Sequence, residues 1–359
     1  MPSKSVTRLV HAALCLPAAV ALTLSAATPA QGRDAAAAPT PLRVATPVDM
    51  VQPWSPTSFN WLAIQNPDGP EKALLTFFTS NIPSPQIISN ITAPDGTYYN
   101  AVDWTPAPFV TAADPVSIHN DRLDWRFVPE RDAWHLTVDD AMTQAGIAGI
   151  TADVWFHDTT PGAAMDPVDW DGQQVFWASS IAAAKVDGWI RFPGQAGPTP
   201  VDGWVGEQER MAGLFHITFM HKGYEYAQAG NPDGSADMLF AFLEAGGGVR
   251  GVLAHTDPHG AVTMCEPSAA DLSDWASDRV SDRGISLPDF DYPRRVHASC
   301  DGGGAHLERT FTATRSHLHP VWLGPSPIVE AVTTMADGHS DVPGSVATIQ
   351  HLRTTGSPR

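Results

Sequence analysis

Between Glu207 and Tyr226 the chain gathers the groups that could move protons on and off a small molecule. Glu207 and Glu209 stand two residues apart, and Phe215-His216-Ile217-Thr218-Phe219-Met220-His221 follows with an imidazole at each end of its polar positions. Tyr224, Glu225 and Tyr226 complete the group after Gly223. A carboxyl group in a dry pocket has its pKa pushed toward neutrality and can then serve as an acid or base near pH 7. In a hydration or cyclisation, Glu209 or Glu225 would protonate the substrate, and His216 or His221 would handle water or the outgoing proton. The same segment reads equally as a polar strand face with ordinary histidines. His317-Leu318-His319 puts two imidazoles on one side of a strand, a spacing that zinc sites use, but no third ligand can be named, so no metal is expected.

Other chemistries have less support. No G-x-S-x-G elbow is present for a serine hydrolase, and Gly246-Gly247-Gly248 and Gly302-Gly303-Gly304 do not stand between a strand and a helix as phosphate loops do. A glycosidase would need two carboxylates at a set separation, and the 39 acidic residues offer no basis for choosing a pair. Formal net charge is −18, from 21 basic and 39 acidic residues, which argues against a nucleic-acid partner, because phosphate binding needs a basic surface.

The elements that must hold these groups read as β throughout. Leu123, Trp125 and Phe127 alternate with Asp124 and Arg126. Trp134, Leu136 and Val138, and then Ile150, Ala152, Val154 and Phe156, alternate with polar or exposed neighbours in the same way. Period two puts one set of side chains in a core and the other toward solvent or a cavity. Further strands are expected at Ala73–Thr79, Gln86–Thr92, Val175–Ser180, Gly188–Phe192, Phe215–Met220, Met238–Leu243, Val249–Ala254 and Arg309–Thr314. Turns are expected at Pro-Asp-Gly 67–69, 94–96 and 232–234, and at Asp187-Gly188, because Asp-Gly supplies the positive φ of tight hairpins. The helical candidates, Ile181–Lys185 and Asp139–Gly149, are short.

Lys4 and Arg8 precede an apolar run and an Ala/Pro-rich stretch, the layout of a secretory signal peptide over residues 1–30, with a flexible segment at 31–50. Two β-domains are expected, at 51–197 and 198–355, split near the Pro/Gly-rich Pro193–Pro200. No later segment is long and apolar enough to cross a bilayer as a helix. Export would leave Cys265 and Cys300, which form either one disulfide or two buried thiols.

With these elements in place, the chain resembles the tandem-lipocalin superfamily. The resemblance is carried by Phe59-Asn60-Trp61-Leu62 followed by an apolar strand and the Ala-Pro-Asp-Gly turn, by Val175–Ser180 with Lys185–Trp189, and by Pro327–Ala331 through Val342-Pro343-Gly344. It implies an all-β fold of two lipocalin-like antiparallel β-barrel or sandwich domains in tandem. That superfamily includes carotenoid 1,2-hydratases and cyclases that perform Diels–Alder chemistry. It implies a hydrophobic small-molecule substrate, such as a terpenoid, polyene or polyketide, and no organic cofactor. Trp61, Trp177, Trp204 and Trp322 lie on or near the matching segments and, with Tyr224 and Tyr226, are the expected ligand walls. The family's "his-asn-trp-gly" element has its nearest counterpart at Glu209-Arg210-Met211-Ala212-Gly213, where only the glycine is kept. The competing expectation is a secreted, non-catalytic carrier of the same kind of ligand.

Overall fold

A computed structural model describes residues 40–79, 86–103, 107–141, 149–170, 173–214, 223–244, 248–282, 285–302, 304–322 and 329–354. Two antiparallel sheets hold almost all of them. In the first, the strand Thr57–Gln65 pairs on one side with Lys72–Phe78, Gln86–Thr92 and Tyr98–Asp103 in succession. On its other side lies Trp204–Leu214, and beyond that Gln173–Arg191, Ile150–Thr160, Ala133–Ala141 and Leu123–Val128. The second sheet runs from Val262–Cys265 through Val249–Thr256, Ala236–Leu243, Gly223–Gly230, Val346–Thr354, Val329–Ser340 and Ala305–Trp322 to Ile285–Gly302 and Ala269–Asp282.

The alternation sorts side chains into three cores. One face of the first sheet buries Leu62, Phe77, Trp125, Trp134, Phe156 and Phe176 together. One face of the second buries Ala227, Leu239, Leu253, Phe311 and Ile349. The remaining faces meet each other: Phe59, Trp61, Trp177 and Met211 from the first sheet pack with Tyr224, Tyr226, Met238, Phe240 and Leu352 from the second. This third core is where the two halves become one body. Burial of such aromatic area is the main force available to hold it.

Several expectations change at this level. Val175–Ser180 and Gly188–Phe192 are parts of one long strand, Gln173–Arg191, and the helical candidate Ile181–Lys185 is its middle. Ala182, Ala183 and Ala184 favour helix locally, but they are buried between paired strands on both sides, and tertiary pairing overrides propensity. Asp187-Gly188 is not a hairpin turn. Gly188 sits within the strand at φ 112°, and a Cβ there would stand 2.2 Å from the Asp153 carbonyl oxygen. Asp139–Ala141 of the other helical candidate is the end of a strand. The expected strand Phe215–Met220 lies outside the described residues, as do residues 1–39.

Cys265 and Cys300 are joined by a disulfide. The stretch between them consists mainly of two paired strands, so the bridge ties the end of Val262–Cys265 to the strand Ile285–Gly302 across the interior of the second sheet. Gly302 permits this approach, since a Cβ on it would come 2.5 Å from that of Cys265.

Candidate active site

The strand Trp204–Leu214 positions the acids. It pairs with Thr57–Gln65 and Gln173–Arg191, so its two faces look into different cores. Arg210 points away from the second sheet, donating to the carbonyls of Asp49 and Pro53 at 2.8 Å each and lying 5.7 Å above the Phe176 ring. It pins the short helical turn Pro47–Met50 and the chain just beyond it to the strand and fixes the strand's rotation. Glu207, Glu209 and Met211 therefore face the core between the sheets.

Both glutamates are buried, at 4% and 2% exposure. Trp177 Nε1 donates to Glu209 Oε1 at 2.6 Å. Burial dominates the titration of each: Glu207 is pushed up to about 8 against the pull of Lys72. Glu209 is also pushed up to about 8, because the Trp177 indole offsets little of its desolvation and the neighbouring Glu207 opposes a second negative charge. At neutral pH the pair holds protons in an apolar setting, which is the condition for a general acid.

Aromatic rings surround this pair. Trp61 meets Tyr226 edge-on with centroids 4.8 Å apart, Trp177 stacks on Phe240 at 5.1 Å, and Tyr224 lies 5.7 Å from Phe240. Tyr226 donates to Gln228 Oε1 at 2.7 Å, and Gln228 in turn donates to the carbonyls of Ile181 and Ala182. The phenols of Tyr224 and Tyr226 are held well above their ordinary range by burial and then by the acids, so they stay neutral.

Farther along the seam the groups are basic. Lys72 Nζ lies 3.2 Å from Asp337. The Tyr98 ring stacks on His317 at 3.6 Å, its hydroxyl meets His319 Nε2, and it accepts from Asn90 Nδ2 at 3.0 Å. Burial lowers the pKa of His317, leaving its imidazole neutral. Trp61 Nε1, Asn90 Oδ1 and His317 Nε2 are buried with no hydrogen-bond partner among the described residues. Trp61 and Asn90 belong to strands of the first sheet and His317 to a strand of the second. A buried polar atom left unpaired costs about 1–3 kcal/mol.

An open cleft of about 660 Å³ adjoins the seam, lined by Thr160, Pro161, Ala183, Trp204, Val205 and His259 among others. Neither glutamate lines it. Val205 does, and it shares a strand face with Glu207 two positions on, so the cleft lies at the mouth of the seam rather than at the acids.

Glu209, Trp61, Trp177, Tyr224 and Tyr226 thus come together as neighbours of one core. Glu225 does not join them, because period two turns it to the opposite face of its strand, into the second sheet's interior beside His351 and Arg353. Trp204 belongs to the first sheet's core and edges the cleft. His216 and His221 lie outside the described residues, and so does the side chain of Trp322. Lys72, Tyr98 and Asn90 carry no signal in the sequence; they meet their partners only through pairing between distant strands. Among the described residues no group of three or more His, Cys, Asp or Glu is arranged to hold a metal ion.

No family model matches the sequence, and no curated protein matches it. Solved structures do share the fold. A protein of Nitrosomonas europaea described as AttH superposes with a TM-score of 0.55 at 14% identity, over 83% of this chain and 92% of that one. Kievitone hydratase from Nectria haematococca gives a TM-score of 0.55 at 9% identity, over 87% of this chain and 93% of that one. The all-β, two-sheet fold is therefore the one the tandem-lipocalin resemblance implies.

Proposed function

We propose that the chain is an exported enzyme that binds a hydrophobic small molecule between its two sheets and isomerises, cyclises or hydrates it by protonation, without an organic cofactor. The observation that carries this reading is the buried acid pair, with Glu209 anchored by Trp177 and walled by aromatic rings. One fold neighbour is by name a hydratase, and adding water to a double bond can begin with such a proton.

Glu209 is the donor. Its Oε1 accepts the indole hydrogen bond, which leaves Oε2 to carry the proton. Transfer to an alkene carbon creates a carbocation, which the faces of Trp61, Trp177, Tyr224 and Tyr226 stabilise through their ring quadrupoles. The cation is quenched by water in a hydration or by loss of a proton from a neighbouring carbon in an isomerisation. In a cyclisation a second double bond attacks it, which moves the positive charge to a ring carbon, and loss of a proton or capture of water there ends the reaction. In every case the ionised glutamate is restored by the proton released, directly or by way of His216 or His221. Glu207, itself protonated at neutral pH, places no negative charge beside the Glu209 carboxyl before the proton is transferred. The cleft at Val205 is the entry for substrate, with Trp204 on its rim. For hydration, a single water bound in the seam suffices.

The test is product analysis. Purified protein is incubated with an organic extract of its producing culture, beside a boiled control and a Glu209→Gln variant. The wild type converts one metabolite to an isomer or to a product heavier by one water, and Glu209→Gln lowers the rate by about 100-fold or more, in the range of a lost general acid. If a compound instead moves unchanged into the protein fraction, the chain is a carrier and the catalytic roles are withdrawn.

A further inference from the structure

The interior of the second sheet contains a second cluster that the seam does not use. Glu225 and His351 are 0% and 1% exposed, and Arg353 is 5% exposed. His351 Nδ1 lies 2.6 Å from Glu225 Oε1, and Arg353 Nη2 donates to the same oxygen at 2.7 Å. Two partners on one oxygen leave the other bare: Glu225 Oε2 and His351 Nε2 are both buried with no hydrogen-bond partner among the described residues. The other buried carboxylate turned to this side of the sheet, Asp237, differs. Its oxygens are taken up by His255 at 2.7 Å, Asn231 at 2.9 Å and Arg309.

The chemistry of the two bare atoms follows from their neighbours. His351 and Arg353 hold the Glu225 carboxyl below its ordinary range despite burial, so it is ionised. Burial lowers the pKa of His351, so its ring is neutral, with its one proton on Nδ1 facing the carboxylate. Both Glu225 Oε2 and His351 Nε2 are then acceptors. Arg353 already balances the carboxylate charge, which disfavours a cation. Small residues recur in this core, Ala227, Ala229, Ala241, Ala336 and Ala347, where the first sheet's core carries Trp125, Trp134, Phe156 and Phe176. The Trp275 ring stands edge-on to His351 with centroids 6.4 Å apart.

We propose that the interior of the second sheet is a separate binding site for a small neutral molecule, apolar apart from a hydroxyl that donates to Glu225 Oε2 or His351 Nε2. The site is independent of the acid pair and of any reaction in the seam.

The probes are phenol, cyclohexanol and toluene, added to the full-length protein labelled in its histidine nitrogens and glutamate carboxyl carbons. Phenol or cyclohexanol shifts the His351 Nε2 or the Glu225 carboxyl resonance saturably. Toluene, which has the shape of phenol without its donor, binds about tenfold more weakly, the factor expected for one hydrogen bond to a charged or buried acceptor. Ala241→Leu, which adds an apolar group to the interior directly opposite Glu225 in the strand pairing, abolishes the response while the circular dichroism of the sheets is retained. The proposal is overturned if neither alcohol moves either resonance, if toluene binds as well as phenol, or if a folded Ala241→Leu protein responds like the wild type.

Discussion

At the scale of single residues, the central relation is between Glu209 and Trp177. The indole N–H favours the charged carboxylate, and burial favours the neutral acid; burial wins. Trp177→Phe keeps the ring and removes the donor, so the Glu209 pKa rises further above about 8. The check is the alkaline limb of the rate profile: turnover by the wild type falls as pH rises through about 8, and Trp177→Phe moves that limb upward. A limb that moves down, or does not move, would mean that the indole has another role. Some of this is legible in the sequence. Trp61 and Trp177 can be singled out because they lie on segments that carry the family resemblance, and Glu209 because it belongs to the run of titratable residues that ends at Tyr226. Lys72, Asn90 and Tyr98 cannot, since nothing local to residues 72, 90 or 98 reports a partner at 317 or 337. Grouping Glu225 with Glu209 is natural by distance along the chain, yet alternation places consecutive residues on opposite faces, and Glu225 goes with Ala227 rather than with Tyr224.

At the scale of elements, the second sheet relies on the bridge between Cys265 and Cys300. Its sequence separation of 35 corresponds to about 4 kcal/mol of stabilisation in the chain-entropy account of crosslinks. Replacing both cysteines with alanine is expected to lower the urea midpoint accordingly, and intact mass after alkylation of the unreduced wild type should show no free thiol at either position. Period-two runs are reliable guides here: Leu123–Val128, Ala133–Ala141 and Ile150–Thr160 are strands where the alternation places them. The long strand Gln173–Arg191 is not legible as one element. Three consecutive alanines interrupt its alternation, and Asp187-Gly188 imitates a hairpin, whereas the glycine serves a close approach to the Asp153 carbonyl. Local signals cannot separate a glycine needed for a turn from one needed for contact between neighbouring backbones.

For the molecule as a whole, three cores are organised by two sheets, and the core shared between them contains protonated acids. Glu207 and Glu209 have folded pKa values raised to about 8 from 4.5. The folded state therefore binds more protons than the unfolded chain between those limits, so their contribution is full below about 4.5 and is lost as pH rises toward about 8. His317 and His351 act in the opposite direction, and their contribution is complete above the ordinary histidine value of 6.5. Between pH 6.5 and 8 the acids dominate, and stability in urea falls with rising pH. Glu207→Gln combined with Glu209→Gln flattens that slope; a slope unchanged in the double variant would locate the titration elsewhere.

The most direct measurement is the titration of the glutamates themselves, by carbon NMR of protein labelled at its glutamate carboxyls, with Glu207→Gln and Glu209→Gln used for assignment. Two carboxyl resonances that change only as pH passes from about 7 to 9, with the one assigned to Glu209 absent in its variant, are the expected result. If every glutamate has finished titrating by about pH 5, near the ordinary value for the residue, no proton is held between the sheets at neutral pH and the acid-catalysed reading is contradicted.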